Sequence, residues 1–381
     1  MKIFILVKRN ILTIIFGIFM VLLIVFSKNN LSAAKDGLVL WANCVVPALF
    51  PFFIATELLN YTNIASIFGR LLNKFMKPIF NIPGEGAYAF LMGIISGYPV
   101  GAKIVSDFYS KNICTKEEAE RMLAFTNNSG PLFIIGTVGI ALFGNSTIGI
   151  LLFVTHILSS ISVGIILGIF SRLFHTYKLK SFNYRSIDDE ADYSISSLGN
   201  ILSNSIQKAI STIFLIGGFV VLFSIILSIC NRLNIFDFIN NILNIFNIPT
   251  TYSKSIICGL IELTNGVNTV SSIHAKIISY NIIISAFLLG FGGFSILLQV
   301  LSIIAKSKLS IKIYLYGKIM QGAISSLYTI LFIKYVPIFM FDLPNDNFLL
   351  QSKLSIALAL GLIFFSIILI FRYYDKKTKN I

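Results

Sequence analysis

The sequence has little charge. Only 12% of its residues are Asp, Glu, Lys or Arg, whereas 56% are hydrophobic, and its mean hydropathy is +0.86. A soluble domain carries about 25% charged residues. The scarcity of charge therefore excludes an ordinary water-soluble domain and indicates a polytopic membrane protein, whose solvent is lipid.

The sequence also lacks the motifs of several enzyme classes. It contains no His-Glu-x-x-His zinc site, no Gly-x-Ser-x-Gly nucleophile elbow and no presenilin-like pair of aspartates. It has no phosphate-binding loop, so the energy for any transport must come from a gradient or a downstream trap. Its four cysteines have neither metal-ligand nor disulfide-like spacing. We therefore expect a protein that is not an enzyme and that holds no metal or other cofactor.

Acidic residues are scarcer than basic ones, since 16 Asp and Glu oppose 30 Lys and Arg and give a net charge of +14. The basic residues form no domain that would bind nucleic acid, but lie in short loops and at both ends. This is the pattern of the positive-inside rule, and it predicts both termini in the cytoplasm. The loop residues placed on the cytoplasmic side are Arg70, Lys74, Lys77, Arg172, Lys178, Lys180, Arg185, Lys306, Lys308 and Lys312.

Long apolar runs are abundant, and a bilayer takes about 20 helical residues to cross. The runs lie near residues 3–26, 38–59, 122–148, 149–171, 207–230, 276–304, 311–333 and 349–371. Two further runs, 86–105 and 255–275, are Gly-rich or polar in the middle. We interpret them as re-entrant hairpins, because irregular backbone survives at membrane depth only where protein or a wet cavity satisfies its polar groups.

The sequence repeats itself where membrane helices should break. Residues 79–83 and 245–249 both read IFNIP. The first copy is followed by GIISGYPVG at 93–101 and the second by GLIELTNGV at 259–267. Paired interruptions in the two halves of a membrane protein are typical of secondary transporters.

A second pair of interruptions follows, because AFTNNSGP at 124–131 aligns with AFLLGFGG at 286–293. With both termini inside, the connection at 60–85 lies inside and its counterpart at 231–254 lies outside. The two repeats are therefore predicted to be inverted, which offers a physical route to alternating access. The alternative is gene duplication in a static membrane scaffold.

The repeats define the predicted organisation of the chain. We expect an all-α polytopic membrane protein with about eight spanning helices, two re-entrant hairpins and broken helices at a central site. Its predicted parts are an N-terminal anchor helix (1–36), a first repeat (37–172), a polar linker (173–204), a second, inverted repeat (205–334), and a C-terminal helix with a basic tail (335–381).

Three strings of residues carry a family resemblance. They are WANCVVPALFPFF at 41–53, SGYPVGAK at 96–103 and FTNNSGP at 125–131. Over nearly its whole length the chain resembles the YlbJ, or SpoVV, sporulation integral membrane proteins, which belong with the nucleoside-recognition, or Gate, membrane domains. The resemblance implies a multi-pass protein of the outer forespore membrane that moves dipicolinic acid into the developing spore. A nucleoside or other heteroaromatic solute, and a non-transporting scaffold for spore assembly, are the alternatives.

The interruptions of the first half suit a small organic anion. A helix that begins inside the membrane presents unpaired N–H groups and a positive dipole end, which attract a carboxylate. Tyr98 either stacks on an aromatic ring, donates its hydroxyl, or packs in the core. The substrate-binding residues expected in this half are Gly97, Tyr98, Pro99, Gly101, Asn127, Asn128, Ser129 and Gly130.

Lys103 is the cation nearest to these breaks in the sequence. An intramembrane ammonium is costly enough that a functional or paired role is expected. Lys103 therefore either contacts the substrate anion, or snorkels to the interface and pairs with Asp107 on the same helix face.

The second half carries a carboxylate, Glu262, followed by three residues that we also assign to the substrate site, Thr264, Asn265 and Asn268. A buried carboxyl group tends to be protonated, because desolvation disfavours its charge. Glu262 is therefore the candidate for coupling transport to H⁺. Alternatives are coordination of Na⁺ with Asn265, a structural ion pair with Lys103, and simple exposure.

Three other polar residues lie in or beside apolar runs. Glu57 is expected at an interface. His156 is either a proton relay or a histidine satisfied by one carbonyl, and Gln321 is expected to bond between helices.

Overall fold

The computed structural model describes residues 10–59, 61–62, 64–174, 198–237, 250–273, 278–336 and 347–379, and every regular element in these ranges is helical. The predicted all-α class is confirmed. The helices are α1 (Ile11–Val25), α2 (Ser27–Leu40), π1 (Trp41–Val45), α3 (Val46–Leu59), α4 (Ile64–Phe80), α5 (Gly86–Ser96), α6 (Val100–Ser110), α7 (Lys116–Thr126), π2 (Leu132–Leu142), α8 (Ser146–Phe174), α9 (Leu198–Arg232), α10 (Thr250–Ile261), α11 (Leu263–Ser271), α12 (Ile278–Phe291), α13 (Gly293–Ile304), α14 (Lys312–Tyr335) and α15 (Asn347–Lys379).

Long apolar helices confirm a polytopic membrane protein. Within the described ranges, four segments are long and apolar enough to cross a bilayer: α8, α9, Ile278–Ile304 and Ile356–Asp375. A fifth is added if Ile11–Val25 and Ser27–Asn43, which are bent by 98° at the break between them, are counted together as one span. Several of the eight apolar runs fold as shorter, interrupted helices, so the apolar runs outnumber the long helices.

All four predicted interruptions are present. Gly97 separates α5 from α6 with φ +79°, and Gly292 separates α12 from α13 with φ +86°. Glycine adopts this left-handed region without a steric penalty, which explains why both positions are glycine. Glu262 lies between α10 and α11, and residues 127–130 lie between α7 and π2.

The two hairpins pack through glycines on the breaks that follow them. A Cβ on Gly93 would lie 1.7 Å from the carbonyl oxygen of Thr126, the last residue of α7, and one on Gly101 would lie 2.3 Å from the same oxygen. In the second half, a Cβ on Gly293 would lie 3.0 Å from the carbonyl oxygen of Gly259. Each hairpin therefore rests against the broken span of its own half.

Helix α7 shows how sequence fixes the start of a broken span. Thr115 precedes it and accepts a hydrogen bond through Oγ1 from the Glu118 backbone N–H at 3.2 Å, while the Thr115 N–H donates to Glu118 Oε2 at 2.8 Å. This reciprocal capping box sets the first turn. The helix then ends at Thr126, where the Asn-Asn-Ser-Gly-Pro string begins.

Helix α14, from the second half, packs against α7 and α8 of the first half and against α12 and α15. Its small residues allow close approach: a Cβ on Gly317 would lie 2.7 Å from Ala124 Cβ, and one on Gly290 of α12 would lie 2.6 Å from Gly322 Cα. Side chains of α14 can thus reach the first-half break.

Some predicted boundaries differ from the helices. The predicted linker 173–204 overlaps α9, which begins at Leu198, because the polar start of this helix continues without a break into its apolar run. Residues 175–197 of the linker and the second IFNIP copy at 245–249 lie outside the described residues.

Candidate functional site

A cavity of about 60 Å³ lies where the two halves meet. Its wall is mostly apolar and includes Leu49 and Phe133 from the first half with Val220 and Ile296 from the second. The residues that give it polar character are Tyr98, Ser129, Gly130, Glu262, Thr264 and Gln299. Three of the four interruptions thus contribute residues to one space, as expected for a central site.

The first-half break is fully buried and extensively hydrogen-bonded. Asn127 Nδ2 donates to the Tyr314 hydroxyl at 3.1 Å, and Asn128 Nδ2 donates to the Phe125 carbonyl at 2.8 Å. Neither asparagine lines the cavity, because both are turned toward neighbouring protein. Ser129 does line it, and its Oγ has no hydrogen-bond partner within the described ranges.

Lys318 of α14 reaches this break and is 0% exposed. Its Nζ donates to the Asn127 carbonyl and, at 2.7 Å, to Gln321 Oε1. It also lies 5.3 Å from the centroid of the Tyr98 ring and 5.8 Å from that of Tyr314. Among the residues that the structure describes, no carboxylate lies within 4 Å of this ammonium.

His156 of α8 supports the same break from another side. Its Nε2 accepts a hydrogen bond from the Ser129 backbone N–H at 3.2 Å. Gln321 completes the network, because its Nε2 donates to Asn128 Oδ1 at 3.0 Å and contacts the His156 carbonyl at 3.4 Å. The predicted bond of Gln321 between helices is confirmed.

Glu262 caps the helix that follows it. Its two carboxylate oxygens accept hydrogen bonds from the backbone N–H groups of Thr264 at 3.1 Å and of Asn265 at 2.7 Å. The helix N-terminus thereby stabilises a carboxylate that is only 3% exposed. The alternatives of exposure and of an ion pair with Lys103 are wrong, since Glu262 is buried and Lys103 pairs elsewhere.

Lys103 forms its ion pair with Glu57. The expected pairing with Asp107 is not observed, because the Lys103 side chain points to α3 instead of along its own helix. The Glu57 side chain is only 7% exposed, and its location at an interface stays a prediction. Lys208 of α9 lies 3.9 Å from the other oxygen of Glu57, so the cluster joins the two halves.

Tyr98 connects the two halves directly. It lines the cavity, and its hydroxyl donates to the Leu289 carbonyl, just before the second-half break, at 3.3 Å. It is therefore both a packed residue and a hydroxyl donor.

The structure brings together part of the predicted site. Tyr98, Ser129, Gly130, Glu262 and Thr264 line the cavity. The remaining predicted residues do not line it. Gly97, Pro99 and Gly101 shape the hairpin, Asn127 and Asn128 face α14, Asn265 contacts Ser224, Asn268 is exposed, and Lys103 binds Glu57.

Sequence reasoning missed Lys318, although among the residues that the structure describes this lysine, and not Lys103, touches a break. The available signal was a lysine within the apolar run 311–333, a position at which function or pairing is expected. Its location six residues from Lys312, near the start of the run, makes it resemble a boundary residue. The apolar wall of the cavity carries no sequence signal that separates it from ordinary core.

Comparison with known proteins agrees with this architecture. Residues 44–173 match the family model described as Gate, nucleoside recognition. The chain is 34% identical over 315 residues to the sporulation integral membrane protein YlbJ of Bacillus subtilis (strain 168), an alignment that covers 79% of this chain and 77% of that protein. No solved structure matches the chain.

Proposed function

Because the chain belongs to the family of the sporulation integral membrane protein YlbJ, we propose that it is a transporter that carries a small organic anion during endospore formation. The proposed substrate is dipicolinic acid, and the proposed mechanism is alternating access. We place the protein in the outer forespore membrane.

The observation that carries this proposal is the meeting of interrupted helices from both halves at one cavity. Substrate sites of secondary transporters lie at such repeat interfaces, where half-helix N-termini point at anionic groups. A static scaffold has no need of four interruptions, each of which gives up hydrogen bonds inside the membrane.

The chemistry of the cavity suits a flat aromatic anion. Dipicolinate carries two carboxylates on a pyridine ring, so its site needs hydrogen-bond donors and an apolar slot. Just before π2, Ser129 supplies a hydroxyl without a hydrogen-bond partner in the described ranges, and Tyr98 supplies an aromatic ring. Phe133 and Ile296 form the apolar wall.

The size of the cavity favours alternating access. A space of about 60 Å³ holds a few water molecules, and we propose that it widens when a substrate of dipicolinate's size enters. The substrate enters only when the two halves move apart. Contacts that cross between the halves, such as Tyr98 to Leu289, then have to break.

We propose Glu262 as the coupling residue, with H⁺ as the coupling ion and Na⁺ as the alternative. Its carboxylate lies in the cavity and is held by two backbone N–H groups. When the cavity opens to water, the desolvation that opposes ionisation is relieved, so a proton can be released or taken up at this position.

The test is uptake of labelled dipicolinate into proteoliposomes that contain the purified full chain, with and without an imposed pH gradient. We expect saturable uptake that the gradient accelerates. In Glu262→Gln the acceleration disappears, while protein abundance and monodispersity stay at the wild-type level.

Two other results lead to different conclusions. Uptake of a labelled nucleoside in place of dipicolinate would favour the alternative that the Gate match suggests. If correctly folded protein takes up neither solute under any gradient, the transporter proposal is overturned in favour of a scaffold.

A further inference from the structure

We propose that Lys318 is the cationic contact for a carboxylate of the substrate and that Tyr98 covers it until the two halves separate. This inference rests on the proposed transport of an organic anion. It assigns the anion's counter-charge to a residue on α14, outside the four interruptions.

The first step concerns the donors of Lys318. A lysine ammonium has three N–H donors and no acceptor. Two acceptors are in place, the Asn127 carbonyl and Gln321 Oε1, and within the described ranges Lys318 Nζ makes no further hydrogen bond. When Lys318 is protonated, one donor is therefore left over for a ligand oxygen.

The second step concerns charge. An ammonium buried in a membrane protein is expensive, and such residues usually pair with a carboxylate or line a substrate path. Described acidic groups on the elements around the site are engaged elsewhere: Glu57 binds Lys103, and Glu262 caps α11. On α7, which packs against α14, Glu118 accepts from the Thr115 N–H, and Glu120 accepts from the Ser310 N–H and the Tyr373 hydroxyl. A dicarboxylate that enters the site supplies the missing negative charge.

The third step concerns access. Lys318 does not line the cavity, but Tyr98 both lines the cavity and places its ring 5.3 Å from Lys318 Nζ. The Tyr98 hydroxyl donates a hydrogen bond of 3.3 Å to the Leu289 carbonyl in the other half. When the halves part, this bond is lost, the ring can swing away, and the ammonium faces the enlarged cavity.

Lys103 is less suited to this role. Its charge is already matched by Glu57, and its side chain is 29% exposed. A substrate carboxylate at Lys103 has to compete with that ion pair, whereas at Lys318 it competes with no described carboxylate.

The experiment compares wild type, Lys318→Met and Lys334→Met in proteoliposomes. Lys334 is a matched control because it is an exposed lysine on the same helix. Uptake of labelled pyridine-2,6-dicarboxylate is measured together with its inhibition by the neutral pyridine-2,6-dicarboxamide. We expect Lys318→Met to raise the KM for the dicarboxylate at least tenfold while the amide inhibits as before, and Lys334→Met to match wild type.

A second measurement applies if Lys318→Met does not fold. Wild-type protein is treated with a small amine-reactive reagent, and modification of Lys318 is quantified by mass spectrometry. The dicarboxylate should reduce that modification several-fold, and the dicarboxamide should not.

The inference is overturned by a wild-type KM in Lys318→Met or by equal modification of Lys318 with and without the dicarboxylate. These results differ from a failure of the proposed function, in which wild-type protein itself shows no uptake.

Discussion

The two halves of the protein share a backbone plan but differ in chemistry. The break of the first half is the polar string at 127–130, whose groups are bonded by His156, Gln321 and Lys318. The break of the second half consists of Gly292 and Gly293, and the Gly292 N–H donates to Leu288 of its own helix at 2.8 Å. One break depends on side chains of other helices, and the other is satisfied locally.

The hairpins show the reverse distribution. The first-half hairpin turns at an uncharged Gly-Tyr-Pro string, whereas the second-half hairpin turns at the carboxylate of Glu262. His156 lies on α8, the last helix of the first half, and Lys318 on α14, the last helix of the second. The two residues are as far apart in the sequence as Ala124 and Ala286, so they occupy matching positions in the two repeats. The repeats therefore conserve where the helices break and divide the polar functions between them.

The largest expected loss of stability distinguishes the first-half hairpin from the second-half hairpin. Gly93 and Gly259 occupy matching positions, but a Cβ on Gly93 meets the Thr126 backbone at 1.7 Å, while the nearest atoms to one on Gly259 belong to the Leu288 side chain, at 2.4 Å. Gly93→Ala should cost about 3 kcal/mol or more and Gly259→Ala about 1 kcal/mol. Thermal unfolding in detergent measures both. Equal losses would contradict the difference between backbone and side-chain contact.

The second-largest expected loss of stability concerns the helix break of the first half. His156→Ala removes the acceptor of the Ser129 N–H and leaves a buried donor unpaired, so it should cost about 1–3 kcal/mol. His156→Gln keeps an acceptor and should restore part of the loss. The measurement is the unfolding temperature of each variant. If His156→Gln is no more stable than His156→Ala, packing of the ring and not the hydrogen bond stabilises the break.

The third expected loss of stability concerns the turns of the two hairpins. Glu262→Ala removes the cap of α11 and should cost about 1 kcal/mol, whereas Glu262→Gln retains a side-chain oxygen as acceptor and should cost less. The same melting assay applies. A matching control is Ser96→Ala, which removes only a 2.5 Å contact with the Thr56 hydroxyl and no helix cap. If Ser96→Ala lowers stability more than Glu262→Ala does, the cap at Glu262 contributes less to stability than proposed.

The smallest effect falls on Asn268, the predicted site residue that lies on an exposed face of α11. Asn268→Ala should change stability by less than about 0.5 kcal/mol. Asn265→Ala, which loses a 3.4 Å contact with Ser224, is the comparison and should cost more. A marked destabilisation by Asn268→Ala would show that this face is buried in the functional assembly.

The sequence predicts the interruptions because glycine, proline and asparagine act locally. Gly97 and Gly292 need left-handed backbone, and that requirement is visible in their identity. The partners of the breaks are not predictable in this way, since Lys318 reaches Asn127 only through the packing of α14 on α7. Likewise, the choice of Glu57 over Asp107 by Lys103 depends on where α3 lies, which spacing along one helix does not reveal.

The contact between Gly290 and Gly322 has a mechanical consequence. The same close approach occurs at Gly139 and Gly149, where a Cβ on Gly139 would lie 2.4 Å from Gly149. Two backbones this close have no side chains between them that could slide past one another. Such glycine pairs form rigid contacts between their helices. Movement between α12 and α14, or between π2 and α8, is thus resisted, so each half is stiffened internally at one such helix pair.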